Sequence, residues 1–467
     1  MDYVIVGGGP SGLSLAYILA KHNYKVSLIE KDNLLGGSWK QEWVDKYFTE
    51  NSPRVLGGVG CHMDFLYEIG MNETDFDSIY GNFIQTNLKI FQFIRDYFDI
   101  FDYCIFLIEL IIYRFRSSNM VLQEWLDTSS LSSKAKQAIR IISITICDTP
   151  INTNLFDFFG SLSSGANLIQ MKNPNQWVNI LEDTFKQNSN ISVFKNTKVI
   201  SINSSQSKVT SVSCINQWKQ FRINSNRIVL CTQSNGIYPI LKQSNPYVQN
   251  NWNHIEWMKL WSENTFYSGF GFQLHFYENI PFPETWCWAC KSEWTIIILP
   301  VSNWLTKPSK DPNIKTVWSC CIVDMDTKSK RLQKTPNECN KTEIINECLF
   351  QLNELSSMLP KQYIVTISPK IYRINNKWIS NTTGFTRKEL GYLPIRGKLN
   401  GLYAVGCFTK GDHNTIAYMK TAVEASKKFL NKYEPITKGF HTKTTVNIKV
   451  IIFIIVVFII ILFIKYL

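Results

Sequence analysis

At 467 residues the chain is too long for one small core and long enough for two lobes and an extra segment. A hydrophobic content of 45% and an aromatic content of 13% supply a packed interior and exclude a disordered chain. The net charge of +12 comes from scattered Lys and Arg with no dense basic block, which argues for a solvated surface and against a nucleic-acid partner. The 12 cysteines are irregularly spaced, and the first strand begins at once, which leaves no room for a secretory signal, so reduced thiols facing a cytosol are expected. Cys287-Trp-Ala-Cys290 has redox or metal spacing, but without a second pair or a nearby histidine a zinc site would be short of ligands.

In chain order, Tyr3 to Val6 reads as a β-branched strand. Gly7-Gly-Gly-Pro10-Ser11-Gly12 then turns the chain into a helix over Leu13 to Lys21. Gly7 suits the tight turn, Gly9 the approach of backbone to a pyrophosphate, and Gly12 the close packing of helix on strand. Pro10 and Ser11 open the helix whose N-terminus faces the phosphates. Lys25 to Ile29 supplies the second strand, and Glu30, followed by Lys31, stands where an acid accepts hydrogen bonds from a ribose hydroxyl. The βαβ unit is complete, which makes a dinucleotide site the firmest reading. Gly57-Gly-Val-Gly60 follows no clear strand into a helix and reads as a loop, so a dedicated nicotinamide site is not expected.

Asp77 to Cys147 is rich in apolar helical patterns, with Tyr103 to Phe115 the greasiest stretch; Glu109 and Arg114 there argue against a membrane span and leave a buried helix or one resting on a bilayer. Asn175 to Phe185 reads as a helix, Ser192 to Ile202 as strands, Arg227 to Thr232 as a buried strand, and Phe266 to Trp318 as a Trp-rich sheet. At the end, 446–466 is apolar all round with Lys449 and Lys465 able to snorkel, so it predicts a single transmembrane tail anchor with the body on the cytosolic side and 435–445 as linker. No Ser-His-Asp or metal-ligand constellation is readable, so hydrolase and metal readings have no support.

The extreme N-terminal position of the fingerprint and the later Gly36-Gly37 pair resemble the glutathione-reductase type of FAD-binding proteins. Gly36-Gly-Ser-Trp39, Lys46 to Arg54, Gly401 to Gly406 and the closing segment Ala417-Tyr-Met-Lys-Thr-Ala-Val-Glu-Ala425 together resemble the flavin-containing amine oxidase superfamily, which includes phytoene-desaturase-like and protoporphyrinogen-oxidase-like enzymes. The resemblance implies an α/β fold: a discontinuous Rossmann-type FAD-binding domain at 1–75, 165–245 and 385–434, and an interleaved α+β substrate domain at 76–164 and 246–384. It implies cofactor contacts from Gly37, Ser38, Trp39, Arg54, Val199, Gly406 and Met419 besides the fingerprint. Three departures stand out: Ser38 where the family has Arg, Phe408 where it has a cofactor-binding carboxylate, and two extra residues before Tyr418. The absence of cysteine between Cys348 and Cys407 implies dissociable FAD.

By the same resemblance Tyr418 matches one wall of an aromatic cage and Lys291 is the candidate for a lysine holding water near the flavin N5; Trp378 is placed as the other wall by pocket logic. Three readings stay open: an amine-oxidase-type enzyme with oxygen as acceptor, a desaturase or protoporphyrinogen-type oxidase taking a lipophilic substrate, and a degenerate FAD-binding scaffold.

Overall fold

The computed structural model describes residues 1–435 apart from 51–53, 59, 79–95, 117–119, 147–148, 152, 164–167, 218, 265–268, 282–287, 356–358, 361, 375, 381–390 and 410–418. The chain opens with β1 (Tyr3–Val6), α1 (Pro10–Lys21) and β2 (Val26–Ile29). A short hairpin, Glu42–Val44 with β3 (Tyr47–Thr49), leads to α2 (Cys61–Glu68) and the apolar helix α3 (Ile100–Ile112). Next come α4 (Gln176–Gln187), β4 (Ile191–Phe194), the meander β5 (Thr197–Ser204), β6 (Val209–Asn216) and β7 (Lys219–Asn224), then β8 (Ile228–Leu230) and α5 (Ser234–Lys242). The rest comprises β9 (Phe270–Phe276), β10 (Ile296–Leu299), β11 (Thr316–Ile322), β12 (Tyr363–Thr366), the hairpin β13 (Ile371–Ile374) and β14 (Lys377–Ser380), β15 (Leu402–Ala404) and α6 (Met419–Tyr433).

Five strands form one parallel sheet in the order β15-β8-β1-β2-β4. Its strands are short and buried on both faces, as parallel sheets require. The alternation is visible in β1: Tyr3 and Ile5 join the core under α1, α4 and α6, while Val4 and Val6 join the core shared with the meander and α5. A Cβ placed on Gly12 would lie 1.9 Å from the Gly7 carbonyl oxygen, so only glycine lets α1 sit this close to β1.

A second, antiparallel sheet has the order β10-β11-β9-β12. Phe270, Phe272, Leu274, Phe276, Trp318 and Ile322 pack on one of its sides against the helix Lys341–Leu355, and Phe48, Leu299, Trp304 and Val317 close another cluster. The antiparallel sheet meets the end of the hairpin strand β3 along a buried polar seam. Gln273 of β9 donates to the Glu50 carbonyl at 2.7 Å and accepts from the Thr49 hydroxyl at 2.7 Å. Ser319 of β11 donates to the Glu50 carboxylate at 2.5 Å.

Two expectations change. Gly57 to Gly60 does run from a two-residue strand, Leu56–Gly57, into α2; that strand pairs antiparallel with Leu168–Met171 and stands outside the parallel sheet, so the run is no second nucleotide fingerprint. The tail 446–466 lies outside the described residues, and among the described residues no helix is long and apolar enough to cross a membrane. The anchored, cytosol-facing localisation therefore does not stand. The greasiest described helix, α3, has 13 residues against about 20 for a span, and it turns Asp102 and Glu109 inward, where Ser132 and Arg116 satisfy them.

Two predictions follow from this packing. Gly12→Ala should lower the Tm by at least about 5 °C in a thermal melt, because either β1 or α1 must shift. Buried His62 and His275 are both held near pKa 4, against an ordinary 6.5, chiefly by burial. The unfolded chain takes up these protons as pH falls past its ordinary value while the folded chain refuses them, so stability is lost between those two values, by about 3 kcal/mol per histidine. The drop in Tm between about pH 7 and about pH 5 should shrink in His275→Gln.

Candidate functional site

A cavity of about 480 Å³ crosses the C-terminal ends of β8, β1 and β2, where ligands bind in open α/β sheets. Its floor is the turn Gly7 to Ser11. α1 begins at Pro10 with Gly9 as its cap residue and no side chain capping its amides, an arrangement suited to a ligand anion. Facing it is the turn Gly36 to Trp39. Gly37 has φ +56°, and a Cβ there would come within 2.9 Å of the Gly9 Cα, so the two turns approach as closely as backbone allows. Gly9, by contrast, has open space: its own Cβ would meet only the Gly37 Cα, at 3.9 Å.

At one end stands Glu30, nearly buried, with one carboxylate oxygen accepting the Gly8 N–H at 2.7 Å and the other the Asp32 N–H at 2.9 Å. Each oxygen keeps a lone pair for a further donor. Beside it Asp32 accepts from Lys370 at 3.0 Å and Lys40 at 3.3 Å. Burial works against the charge on Asp32, but the lysines outweigh it and hold its carboxyl below the ordinary range. Burial, reinforced by Lys370, pulls the Lys40 ammonium down. Val199 and Ile200 of β5, with Ile215 and Ile240, make an apolar wall next to this end, and Thr197, Lys198 and Gln243 line it beside them.

At the other end the lining passes through Cys231 to Gly236, Gly406 to Phe408, and Ala422 in the first turn of α6. Phe408 is buried, its ring packed edge-on to Trp261 at 5.9 Å and laid over Gly406, whose Cβ position is 2.5 Å from it. Cys231 and Cys407 both face this region, and burial pushes the Cys407 thiol up to about 12, so it stays protonated near neutral pH.

The lining brings together Gly7, Gly9, Pro10, Ser11, Glu30, Lys31, Gly37, Ser38, Trp39, Val199 and Gly406. Gly12 lies behind it at the helix-strand contact, and Met419 is buried at the start of α6 one turn before Ala422. Arg54 is elsewhere: it donates to the Lys40 carbonyl at 2.7 Å and pairs with Glu50 at 3.6 Å, so it braces the turn that ends at Trp39 instead of lining the cavity. Among the proposed catalytic residues, Lys291 is exposed at the end of the short 3-10 turn Trp288–Lys291 and is not in the lining. Trp378 is buried in the antiparallel sheet's core, edge-on to Phe270 at 5.3 Å, and donates its indole N–H to the Cys339 carbonyl at 3.1 Å. Tyr418 lies outside the described residues. Sequence reasoning missed Asp32, which the Glu30-Lys31-Asp32 run could have flagged, and Lys370 and Tyr372, which carry no local signal.

Residues 5–69 match the NAD(P)-binding Rossmann-like domain family. Over nearly its whole length the chain is similar to an oxidoreductase from Methanosarcina mazei, at 14% identity and a TM-score of 0.63, covering 92% of this chain and 100% of that one. A triple mutant of putrescine oxidase superposes at 0.58 with 13% identity, covering 92% and 98%. Cyclohexylamine oxidase from Brevibacterium oxydans superposes at 0.55 with 14% identity, covering 94% and 98%. The chain thus carries an NAD(P)-binding Rossmann-like domain at its front, and it shares its overall fold with putrescine oxidase and cyclohexylamine oxidase.

Proposed function

We propose that this chain is an FAD-dependent oxidoreductase of amine-oxidase type, acting on a small molecule with oxygen as the final acceptor. The observation that carries the reading is the shape of the cavity: an extended cradle from Glu30, past the facing Gly9 and Gly37 turns, to Gly406 and α6. Its length and its order of acid, phosphate-binding turn and helix suit a dinucleotide laid across the sheet. The absence of a second strand-glycine-helix fingerprint among the described residues favours a resident flavin nucleotide over a separately bound nicotinamide.

In this reading Glu30 accepts from the ribose hydroxyls and the amides of the first turn of α1 hold the pyrophosphate. Val199 and its neighbours shelter the adenine side. α6 begins at the far wall, where its N-terminal dipole favours negative charge on the ring edge. The chemistry supplied by FAD held there would be hydride acceptance from a carbon beside nitrogen. Phe408 makes part of this end apolar, which would help keep water from the reacting face. Protonated Cys407 is a poor nucleophile, in keeping with FAD held without a covalent bond.

Gly9→Val is the sharper test of the cradle. Since the nearest neighbour of that Cβ is 3.9 Å away, the fold should melt within about 2 °C of wild type, while flavin affinity, read by fluorescence titration, falls at least about 100-fold. Purified protein should be yellow, and anaerobic mixing with a panel of primary amines and polyamines should bleach the flavin band. Bleaching by a polyene or porphyrinogen and by no amine would move the chain to the desaturase or protoporphyrinogen-type reading; colourless wild-type protein would leave the scaffold.

A further inference from the structure

The hairpin β13–β14 ties two parts of the molecule together. Its second strand is rooted in the antiparallel sheet through Trp378, whose backbone N–H donates to the Asn337 side chain at 2.9 Å and whose ring packs on Phe270. Its leading end reaches the nucleotide cavity. Lys370, just before β13, pairs with Glu42 at 2.6 Å as well as Asp32 at 3.0 Å, and the Tyr372 hydroxyl accepts from the Asn235 amide at 3.3 Å. Asp32 follows β2 and Asn235 opens α5, which follows β8, so the hairpin grips the elements on either side of β1. Between Gln243 and Gly406, Lys370 and Tyr372 are the cavity's lining residues among those described.

We propose that Lys370 and Tyr372 form a clasp across the nucleotide cavity and that the Lys370 ion pairs set how fast the bound dinucleotide leaves. The proposal rests on the FAD reading above. The Lys370 side chain is about a quarter exposed and is held between two carboxylates from a different part of the chain. Without it, Asp32 keeps only Lys40 and Glu42 keeps a 3.4 Å contact from Ser368, so the carboxylates no longer draw the hairpin down. Lys370 and Tyr372 line the cavity from outside the parallel sheet, so under this proposal a ligand lying along it leaves as these contacts open. Because the pairs are partly exposed, salt weakens them.

The test uses purified holoprotein and follows flavin release as the rise in free-FAD fluorescence after dilution into buffer to a concentration at which rebinding is negligible. Lys370→Met should release FAD about tenfold faster than wild type, and about 0.5 M NaCl should speed wild type but leave Lys370→Met unchanged. Glu42→Gln, which removes one ion pair from a residue outside the lining, should give a several-fold rise with an unaltered melting temperature; Lys370→Arg should restore slow release. Release by both Lys370→Met and Glu42→Gln at the wild-type rate, or the same salt response in wild type and Lys370→Met, would overturn the clasp while leaving the FAD reading intact. Wild-type protein that never carries flavin would bring down the FAD reading and the clasp with it.

Discussion

Much of the site depends on how closely α1 can lie on β1. With Gly12 against the Gly7 carbonyl, α1 starts directly under the cavity, and its amides point where phosphates would sit. The same placement sets α6. Ser11 donates to the Ala422 carbonyl at 3.0 Å and Ser426 donates to the Ser11 carbonyl at 2.9 Å, so the last helix is indexed on the first turn of the first. The other end of α6 is pinned too. Glu434, just past it, accepts from Tyr3, Tyr24 and Arg227, a nearly buried carboxylate tying the C-terminal helix to β1 and to the start of β8. Burial and the hydrogen bond to Glu434 push the Tyr3 phenol up, so it remains a donor. A shift of α1 would therefore move both walls of the cavity at once.

The polar seam between β3 and the antiparallel sheet ties that sheet to the Gly37 turn. Glu50 is fully buried, and burial raises its pKa although Arg54 and Ser319 oppose the change. A buried pair of this kind adds little net stability, but breaking it is costly because the remaining charge has no water. Its geometry is what matters here. Ser319 in β11 holds Glu50, Glu50 holds Arg54, and Arg54 holds the Lys40 carbonyl at the end of the Gly37 turn. The antiparallel sheet thereby positions one of the two turns that form the cradle, and β1 positions the other.

This division explains what was legible from sequence. The βαβ unit was readable because its signals are local: β-branched strand, glycine turn, helix, second strand and acid fall within about thirty residues. The closing helix was readable through its resemblance to the last segment of the amine oxidase superfamily. Side chains from the second lobe were not. Trp378 and Lys291 lie upstream at plausible distances, yet the sheet sends Trp378 into its own core and leaves Lys291 on the surface. Arg54 has the right position in the turn, but the buried acid at Glu50 claims its guanidinium. Lys370 meets Asp32 across 338 residues, a contact with no periodicity to announce it. The Gly57 run misled in the opposite direction, since it has strand and helix around it but pairs antiparallel, away from the phosphate-binding edge.

The two drifted positions acquire a physical meaning in this frame. Ser38 and Phe408 both line the cavity, and both stand where the resemblance calls for a charged contact. Phe408 is not an empty loss, because its ring fills the wall with Trp261 and covers Gly406. An apolar wall cannot accept a hydrogen bond, so polar hold on a dinucleotide has to come from elsewhere. Such hold can come from the backbone amides of the facing glycine turns, the Glu30 carboxylate, polar lining side chains such as Ser38 and Lys198, and the charged end of the hairpin. The first two are set by local sequence and the parallel sheet, while the last is carried by a hairpin rooted against the antiparallel sheet. Charge gathers at the Glu30 end of the cavity, where Lys370 pairs with both Asp32 and Glu42 and Lys40 pairs with Asp32.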